Sequence, residues 1–423
     1  MSQIVLDDHQ NEAVQFVADR KKAGLFMDVG TGKTFTALEL YRVFQPESLL
    51  IVTINKLVKA KQWESEITTY LGYMPDNITV VNYEKLGRQE KWKDMHFDMI
   101  VYDEAHKIKS PSSNVSKCAK ILSKKARYVI PMTATPSGND YIDIFHIYQN
   151  CDIPIWQGWH TRQFMLTYYN CQRRDYSGAG FTTLIPVSLK EDQVDNLMKL
   201  IHDHAFVVTQ EQVLTLPPRQ EHPIVIDGMR CKEYRDIAEG CFTLGRFPTT
   251  LMKLEQIAKE HQAAQGFVYD EYKQPIQFND TKVRELKYLI QNRLFRFNKI
   301  VMVYYFNHDR TNIIGVLDEL GISYTDDPQE FKDSARVMFL QYSQAEGLNL
   351  QFANCMVFYS YGYSYIQYDQ MLGRIYRRGQ TRKCHVYYMI GKGTVEEIIF
   401  DAIKHKKSKN QFLKDWEGTL HTN

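Results

Sequence analysis

The 423-residue sequence lacks the features of membrane-spanning, secreted and disulfide-rich proteins. No segment approaches the roughly 18 uncharged apolar residues that a membrane-spanning helix needs. The N-terminus lacks the basic-then-apolar order of a signal peptide. The seven cysteines are widely spaced and form no Cys-x-x-Cys pair, so we expect buried thiols in a reducing compartment. We therefore expect a protein that is not secreted, cytoplasmic in a bacterium or phage-infected cell, or nuclear in a eukaryote.

A strong charge of one sign is also absent. The 52 Lys and Arg residues nearly balance the 50 Asp and Glu residues, which gives a formal net charge of +2. Taken as an average, this value argues weakly against a nucleic-acid binder. The basic residues are clustered, however, since residues 107–127 contain seven basic side chains and no acidic one. Residues 374–423 contain eleven basic and five acidic side chains, so local basic surfaces remain compatible with a polyanionic partner.

Apolar runs and amphipathic stretches alternate in two blocks, separated by a mixed, aromatic region at about 141–280. The first block predicts strands at 25–29, 49–52, 99–102 and 128–132, and helices at 34–44 and 56–71. The second block predicts strands at 299–304, 337–340 and 355–358, and helices at 282–291 and 312–320. This alternation indicates two α/β lobes with mainly parallel sheets. The tyrosine-rich segment 359–368 is interpreted as a loop, with an aromatic stacking surface as the alternative.

A glycine-rich turn at residues 28–34 (DVGTGKT) lies between a predicted strand and a predicted helix. In such a turn, glycines let backbone amides curl around phosphate oxygens at a helix N-terminus. Lys33 would then reach the β- and γ-phosphates, and the Thr34 hydroxyl would ligate Mg2+. The strict pattern has glycine at the position that Met27 occupies, so an ordinary glycine turn is the alternative.

Two adjacent carboxylates, Asp103 and Glu104, follow the predicted strand at 99–102 in the sequence Asp-Glu-Ala-His. One carboxylate can coordinate a metal ion while its neighbour polarises the attacking water. We assign the metal to Asp103 and the water to Glu104. A solvated acidic turn is the alternative.

These two motifs, in this order, make the chain similar to superfamily 2 helicases and translocases. Further segments resemble those of the Swi/Snf-type branch of DNA-dependent ATPases. They are LDDHQ at 6–10, QW at 62–63, DEAHKIK at 103–109, MTATP at 132–136 with Asn139, LPP at 216–218, GLNL at 347–350, QMLGRIYRRGQ at 370–380 and GTVEEI at 393–398. The resemblance extends from residue 6 to about 400. The sequence departs from the branch by Thr-Ala-Thr at 133–135, Ser-Gln-Ala at 343–345 and Tyr-Ser-Tyr at 363–365.

The resemblance implies two RecA-like lobes with parallel sheets flanked by helices and a helical connector or insertion between them. Residues 1–212 would form the first lobe, with the phosphate-binding turn, the DEAH and TATP motifs and a C-terminal helical extension. Residues 213–423 would form the second, a helical insertion followed by the family's motifs four to six.

The resemblance also implies an ATP site that draws on both lobes. Gln10, Gly30, Thr31, Gly32, Lys33 and Thr34 would bind ATP, and Thr34 and Asp103 would hold Mg2+. Lys33, Asp103, Glu104, Gln370, Arg374 and Arg377 would be catalytic. Because Arg374 and Arg377 are three residues apart, we expect them on one helix face, where guanidinium groups can stabilise the transferring phosphoryl group.

A nucleic-acid strand would contact residues carried over from the family motifs and the basic segments. These are Thr53, Lys56, Lys107, Lys109, Asn307 and Asn349. Contacts of this kind reach the phosphate backbone and carry no base readout.

The sequence therefore predicts a monomeric, ATP-dependent translocase or remodeller of double-stranded DNA, with a partner protein as one route to targeting. A strand-separating helicase on branched DNA or RNA is one alternative. An ATP-gated nucleic-acid clamp with little hydrolysis is another.

Overall fold

The computed structural model describes residues 4–134, 140–175, 182–239, 250–342 and 348–405, together with residues 407, 412, 415 and 416. The chain divides into two compact units, Met1–Thr215 and Leu216–Asn423. Asn139 and residues 343–347, which carry parts of two family motifs, lie outside the described residues. Within the described ranges, no helix combines the length and apolar character needed to cross a membrane.

The described residues of the first unit form eight strands: β1 Gly24–Met27, β2 Leu49–Thr53, β3 Ile78–Asn82, β4 Met99–Asp103, β5 Tyr128–Thr133, β6 Tyr169–Asp175, β7 Thr182–Leu189 and β8 Ala205–Val208. Six of them form a sheet in the order β3-β2-β4-β5-β1-β8, and its strand pairings are parallel. Strands β6 and β7 form a separate antiparallel hairpin. All strands of the parallel sheet therefore end at one common edge.

The helices of the first unit are α1 Asp8–Arg20, α2 Lys33–Phe44, α3 Asn55–Lys59, α4 Gln62–Leu71, α5 Tyr83–Arg88, α6 Lys91–Asp94, α7 Asn114–Lys125, α8 Tyr141–Asn150, α9 Thr161–Tyr168, α10 Glu191–His204 and α11 Gln210–Val213. A short 3-10 helix covers Ala105–Ile108. The single helix predicted at 56–71 was wrong, because Lys61 adopts a positive φ of 49° and separates α3 from α4.

Alternate residues of the central strands enter two different cores, which explains why these strands are apolar throughout. In β2, Leu50 and Val52 enter one core cluster, whereas Leu49 and Ile51 enter the other. Side chains alternate between the two faces of a strand, so both faces of this sheet are covered, as parallel sheets require.

In the second unit, the part of the chain that the structure describes also forms eight strands: β9 Arg219–Ile226, β10 Phe267–Tyr269, β11 Pro275–Gln277, β12 Ile300–Tyr304, β13 Tyr324–Thr325, β14 Val337–Gln341, β15 Cys355–Phe358 and β16 Cys384–Gly391. Six form a parallel sheet in the order β13-β14-β12-β15-β16-β9. Strands β10 and β11 pair in a small antiparallel hairpin.

The helices of the second unit are α12 Lys232–Ala238, α13 Thr250–Ala263, α14 Thr281–Leu289, α15 Asn307–Glu319, α16 Pro328–Asp333, α17 Tyr365–Leu372 and α18 Val395–Lys404. A π-helical turn at Ile290–Leu294 extends α14. The two parallel sheets with flanking helices confirm the expected fold class of two RecA-like lobes.

The tyrosine-rich segment 359–368 belongs to the core of the second unit. Tyr359 and Tyr361 are 0% exposed, and Tyr368 lies in α17, with its hydroxyl 2.7 Å from that of Tyr388. The loop prediction holds only up to Ser364, the N-cap of α17. The alternative of an aromatic stacking surface was wrong for Tyr359 and Tyr361, because their rings are enclosed.

Candidate active site

The glycine-rich turn connects β1 to the N-terminus of α2, the context that the sequence predicts. Gly30 and Gly32 have φ angles of 81° and 92°, a region that residues with a Cβ atom rarely adopt. At Gly32 a Cβ atom would also lie 2.3 Å from Nε2 of Gln10. Glycine at position 32 is therefore required by both backbone conformation and space.

Several carbonyl groups of the turn are already engaged within the first unit. The Lys33 ammonium donates to the Met27 carbonyl at 2.6 Å and to the Asp28 carbonyl at 3.0 Å. The Thr31 hydroxyl donates to the Asp28 carbonyl at 2.7 Å. With these carbonyls held, the turn and the first turn of α2 keep a fixed shape, and phosphate oxygens would compete for the Lys33 N–H groups.

Two neighbouring side chains of helix α1 form hydrogen bonds to the same turn. His9 Nε2 lies 2.8 Å from the Thr31 carbonyl oxygen, and Gln10 Nε2 donates to the Gly32 carbonyl at 3.0 Å. Gln10 Oε1 accepts the Asp7 backbone N–H at 2.9 Å, and Gln10 is only 2% exposed. In this arrangement the Gln10 amide positions the turn, so a contact with adenine would require these two hydrogen bonds to be exchanged.

Asp103 ends β4 at the same edge of the sheet. In the strand order, β4 is separated from β1 by β5 alone, which corresponds to roughly 10 Å between the two strands. The Asp103 Oδ2 atom accepts hydrogen bonds from the Thr53 hydroxyl at 2.8 Å and from the Trp63 indole at 3.0 Å. These two donors fix the direction of the carboxylate.

Burial and the neighbouring Glu104 carboxylate raise the pKa of Asp103, and the Thr53 and Trp63 hydrogen bonds and the charge of Lys33 partly offset this increase. A carboxylate in this environment gains from a nearby cation. Asp103 carries carboxylate oxygens of the kind that Mg2+ prefers as ligands beside nucleotide phosphates, and the Thr34 hydroxyl is of the same chemical kind. Among the described residues, no cluster of three or more His, Cys, Asp or Glu could hold a metal ion by itself.

Glu104 occupies an unusual backbone conformation. Its φ of 55° and ψ of 52° lie in the left-handed region, where a residue other than glycine is uncommon and often marks a functional site. Its Oε2 atom lies 3.3 Å from Nδ1 of His106. The tight turn from β4 into the 3-10 helix thus directs the Glu104 carboxylate toward His106.

The residues of the first unit that are predicted to contact nucleic acid differ in their burial and in their partners. Thr53 is 0% exposed and holds Asp103, and a role in contacting nucleic acid does not fit this burial. Lys109 forms an ion pair with Asp143 of α8 at 2.7 Å. Lys56 and Lys107 are exposed.

The basic segment 107–127 spans the sheet from one edge to the other. Lys117, Lys120 and Lys124 are exposed on α7, whose opposite face is buried. Since β4 ends at Asp103 and the parallel strand β5 begins at Tyr128, the C-terminal end of α7 lies at the edge opposite to Asp103. There Lys125 Nζ donates to the Lys93 carbonyl at 2.6 Å. Only the beginning of the segment is therefore close to the candidate site.

The second unit holds Gln370, Arg374 and Arg377. Gln370 lies in α17, but α17 ends at Leu372, so the expectation that both arginines share a helix face was wrong. They instead meet at one backbone group: Arg374 Nη1 donates to the Leu348 carbonyl at 3.2 Å and Arg377 Nη1 at 3.5 Å. Arg374 is 7% exposed and also donates to the Gln370 carbonyl at 2.9 Å.

Asn307 and Asn349 are both exposed. Asn307 begins α15 shortly after β12, and its Oδ1 accepts Gln341 Nε2 at 3.3 Å. Asn349 Oδ1 accepts a hydrogen bond from Arg377 Nη1. In this unit, a residue predicted to contact nucleic acid, Asn349, is therefore hydrogen-bonded to a residue predicted to be catalytic, Arg377.

Gln210 contacts the phosphate-binding turn, and the sequence did not predict this contact. Its backbone N–H donates to Asp28 Oδ2 at 2.9 Å, and its side-chain amide donates to the Val29 carbonyl. It lies 182 residues after Asp28 and outside any motif, so no sequence pattern indicates this contact. His9 could have been found, because it precedes Gln10 on the helix that approaches the turn.

Comparison with known proteins finds two families whose models match segments of this chain. Residues 3–138 match the family "Type III restriction enzyme, res subunit", and residues 74–235 match the family "SNF2-related domain". Together the two matches span the phosphate-binding turn, Asp103 and Glu104.

The curated relatives are similar over limited segments. An uncharacterized ATP-dependent helicase, YqhH, from Bacillus subtilis is 38% identical over 76 residues, which are 18% of this chain and 14% of the relative. A human DNA repair and recombination protein, RAD54-like, is 35% identical over 71 residues, 17% of this chain and 10% of the relative. The RAD54-like protein of Drosophila pseudoobscura pseudoobscura is 24% identical over 373 residues, 75% of this chain and 46% of the relative. The chain thus spans less than half the length of these relatives.

A Sulfolobus solfataricus SWI2/SNF2 ATPase core in complex with dsDNA is structurally similar, with a TM-score of 0.45, 20% identity and coverage of 99% of this chain and 94% of that chain.

In its parallel sheet, its phosphate-binding turn and its family matches, the first part of the chain is similar to the helicase-like domains of nucleic-acid-dependent ATPases. The SNF2-related match is limited to residues 74–235, which are less than half of the chain.

Proposed function

We propose that this chain hydrolyses ATP to ADP and phosphate and uses the reaction to move along double-stranded DNA. The observation that supports hydrolysis best is the common strand edge of the first unit. It brings Lys33, Asp103 and Glu104 together on a framework in which Thr53 and Trp63 hold the Asp103 carboxylate.

Each residue of this edge has a separate task in the proposed reaction. The amides of the turn and Lys33 bind the phosphates, and the left-handed Glu104 orients the attacking water. Thr34 and Asp103 would hold the Mg2+ that accompanies ATP, which neutralises charge on the phosphates. Fixed groups of this kind act by positioning and electrostatic stabilisation, the main contributions to phosphoryl transfer.

The residues of the second unit complete the proposed chemistry. Arg377 is partly exposed, so its guanidinium is suited to reach a transferring phosphoryl group. Arg374 is buried and holds the Leu348 and Gln370 carbonyls, so part of its contribution would be to shape this loop. Gln370, 5% exposed, would contact the γ-phosphate or the attacking water.

DNA is the proposed track because the curated relatives include DNA repair and recombination proteins. The exposed Lys56, Lys107, Lys117, Asn307 and Asn349 offer cations and amides to phosphate oxygens. Such contacts do not read base sequence, which suits a protein that moves along DNA.

The ATPase rate in the presence of duplex DNA, single-stranded DNA, forked DNA and RNA tests this proposal. Duplex DNA should stimulate wild-type turnover most strongly, and Lys33→Ala should show no turnover with any of them. Equal rates with and without every nucleic acid would contradict the proposal, as would full turnover by Lys33→Ala.

A further inference from the structure

A second segment also forms hydrogen bonds to the phosphate-binding turn. This segment has no role in the proposed chemistry. Helix α1 holds the end of the turn through Thr31 and Gly32. Gln210 of α11 holds its beginning, since it bonds the Asp28 carboxylate through its backbone and the Val29 carbonyl through its side chain. The turn is thus fixed at both ends by elements that are about 200 residues apart in the chain.

The contact continues the edge of the parallel sheet. Strand β8 pairs with β1 from Gly24–Ala205 to Met27–Val208, and the Asp28 N–H donates to the Val208 carbonyl at 3.0 Å. Gln210 follows two residues later. The path of the chain out of β8 therefore determines where Asp28 and Val29 lie, and with them the entry into the turn.

The same segment leads out of the first unit. Helix α11 covers Gln210–Val213, and the unit ends at Thr215. A capping box between Thr209 and Gln212 closes the helix, with the Thr209 N–H donating to Gln212 Oε1 at 2.8 Å. This short segment is held by its own capping hydrogen bonds, and its beginning is hydrogen-bonded to the phosphate-binding turn. At its end the chain continues into the second unit.

We propose that Gln210 is a positioning residue for the phosphate-binding turn and that residues 209–215 relay nucleotide binding toward the second unit. This inference rests on the proposed ATPase function. Phosphate oxygens would draw the Lys33 ammonium away from the Met27 and Asp28 carbonyls. The backbone at Asp28 and Val29 then adjusts, and Gln210 transmits the adjustment to α11.

Two glutamine variants on the same short helix provide a matched comparison. Gln210→Ala removes the donor to Val29, whereas Gln212→Ala removes the capping contact and leaves the turn untouched. Loss of one hydrogen bond should raise the KM for ATP in Gln210→Ala by about fivefold, with a smaller change in kcat. Gln212→Ala should keep the wild-type KM. Equal KM values in the two variants would overturn the positioning role.

A second pair of variants tests the same contact from the turn. Asp28→Asn keeps an oxygen that can accept the Gln210 N–H, whereas Asp28→Ala does not. We expect the KM for ATP to rise in Asp28→Ala and to return close to the wild-type value in Asp28→Asn. If both variants raise the KM alike, the side-chain charge matters and the Gln210 contact does not.

Amide hydrogen exchange of residues 209–215 tests the relay directly. Exchange is measured with and without a non-hydrolysable ATP analogue and Mg2+, after binding to the wild-type chain has been established. The analogue should change exchange in this segment of the wild type, and the change should be lost in Gln210→Ala at analogue concentrations that saturate both proteins. Binding without any change in the wild-type segment would overturn the relay and leave the ATPase proposal intact. Absence of analogue binding would contradict the ATPase proposal itself.

Discussion

The guanidinium of Arg377 donates a hydrogen bond to the side-chain oxygen of Asn349. Arg377 is the proposed arginine finger, and Asn349 is an exposed residue proposed to contact nucleic acid. The pair joins the two proposed tasks of the second unit through one contact. Binding of a DNA phosphate near Asn349 would therefore alter the position of the finger.

Substitution of Asn349 tests this connection. In Asn349→Ala, Arg377 loses an orienting partner, so we expect weaker stimulation of ATP turnover by duplex DNA, by about fivefold, and weaker DNA binding. Turnover is measured across a range of DNA concentrations, so that the maximal rate at saturating DNA separates from affinity. A wild-type maximal rate with reduced affinity would show that Asn349 binds DNA without acting on Arg377.

Removal of Arg377 should mainly lower the catalytic rate, whereas removal of Arg374 should mainly lower the stability of the fold. Arg377→Ala should lower kcat about 10^3-fold, the magnitude typical of an arginine finger, with little change in thermal stability. Arg374→Ala removes a buried side chain that holds two carbonyls, and we expect it to lower the free energy of unfolding by about 1–3 kcal/mol. Thermal unfolding and steady-state kinetics of both variants check this difference. Normal turnover in Arg377→Ala would remove its assignment as a finger.

Two pairs of lysines on one basic segment should contribute unequally to DNA binding. Lys107 and Lys117 lie toward the edge that carries Asp103, whereas Lys124 and Lys125 lie toward the opposite edge. Removing two phosphate contacts should reduce the slope of log affinity against log salt by about 1.8 in the Lys107→Ala, Lys117→Ala double variant. The Lys124→Ala, Lys125→Ala double variant carries the same charge change and should keep the wild-type slope. Equal slopes in both double variants would refute this placement of the DNA.

A buried carboxyl in the second unit makes stability depend on pH. Asp309 is 0% exposed and accepts the Phe306 N–H at 3.0 Å and the Ser360 hydroxyl at 2.5 Å. Burial raises the pKa of Asp309 from its ordinary value of 3.8 to about 7. The unfolded chain therefore releases this proton before the folded chain does, and the free energy of unfolding falls as pH rises from about 4 to about 7.

Asp309→Asn removes this titration. Relative to the wild type, the variant should gain about 3 kcal/mol in free energy of unfolding between pH 5 and pH 8. Denaturant unfolding at several pH values measures the difference, and Asp333→Asn, at an exposed position in α16, serves as the control. A pH-independent difference between Asp309→Asn and wild type would show that Asp309 is already ionised in the folded protein.

The sequence predicted the strand-turn-helix around Lys33 and the strand before Asp103 because glycines, apolar runs and carboxylates leave local patterns. It failed at Lys61, where a single positive φ divides one amphipathic stretch, and at Arg374 and Arg377, where spacing alone suggested a helix. Tyr359 and Tyr361 were predicted to lie in a loop, with a stacking surface as the alternative, and the sequence did not reveal that their rings are enclosed. Thr53 and Gln210 act through partners 50 and 182 residues away, so only the folded sheet reveals what they contact.

Displacement of a third strand from a triplex on linear duplex DNA tests the central claim, ATP-driven movement along duplex DNA, most directly. The wild-type chain with ATP should displace the third strand without separating the duplex. The Glu104→Gln variant should bind the DNA but should not displace the third strand, because loss of a catalytic base lowers the rate about 10^2 to 10^4-fold. Unwinding of forked DNA by the wild type, together with an undisturbed triplex, would contradict the account.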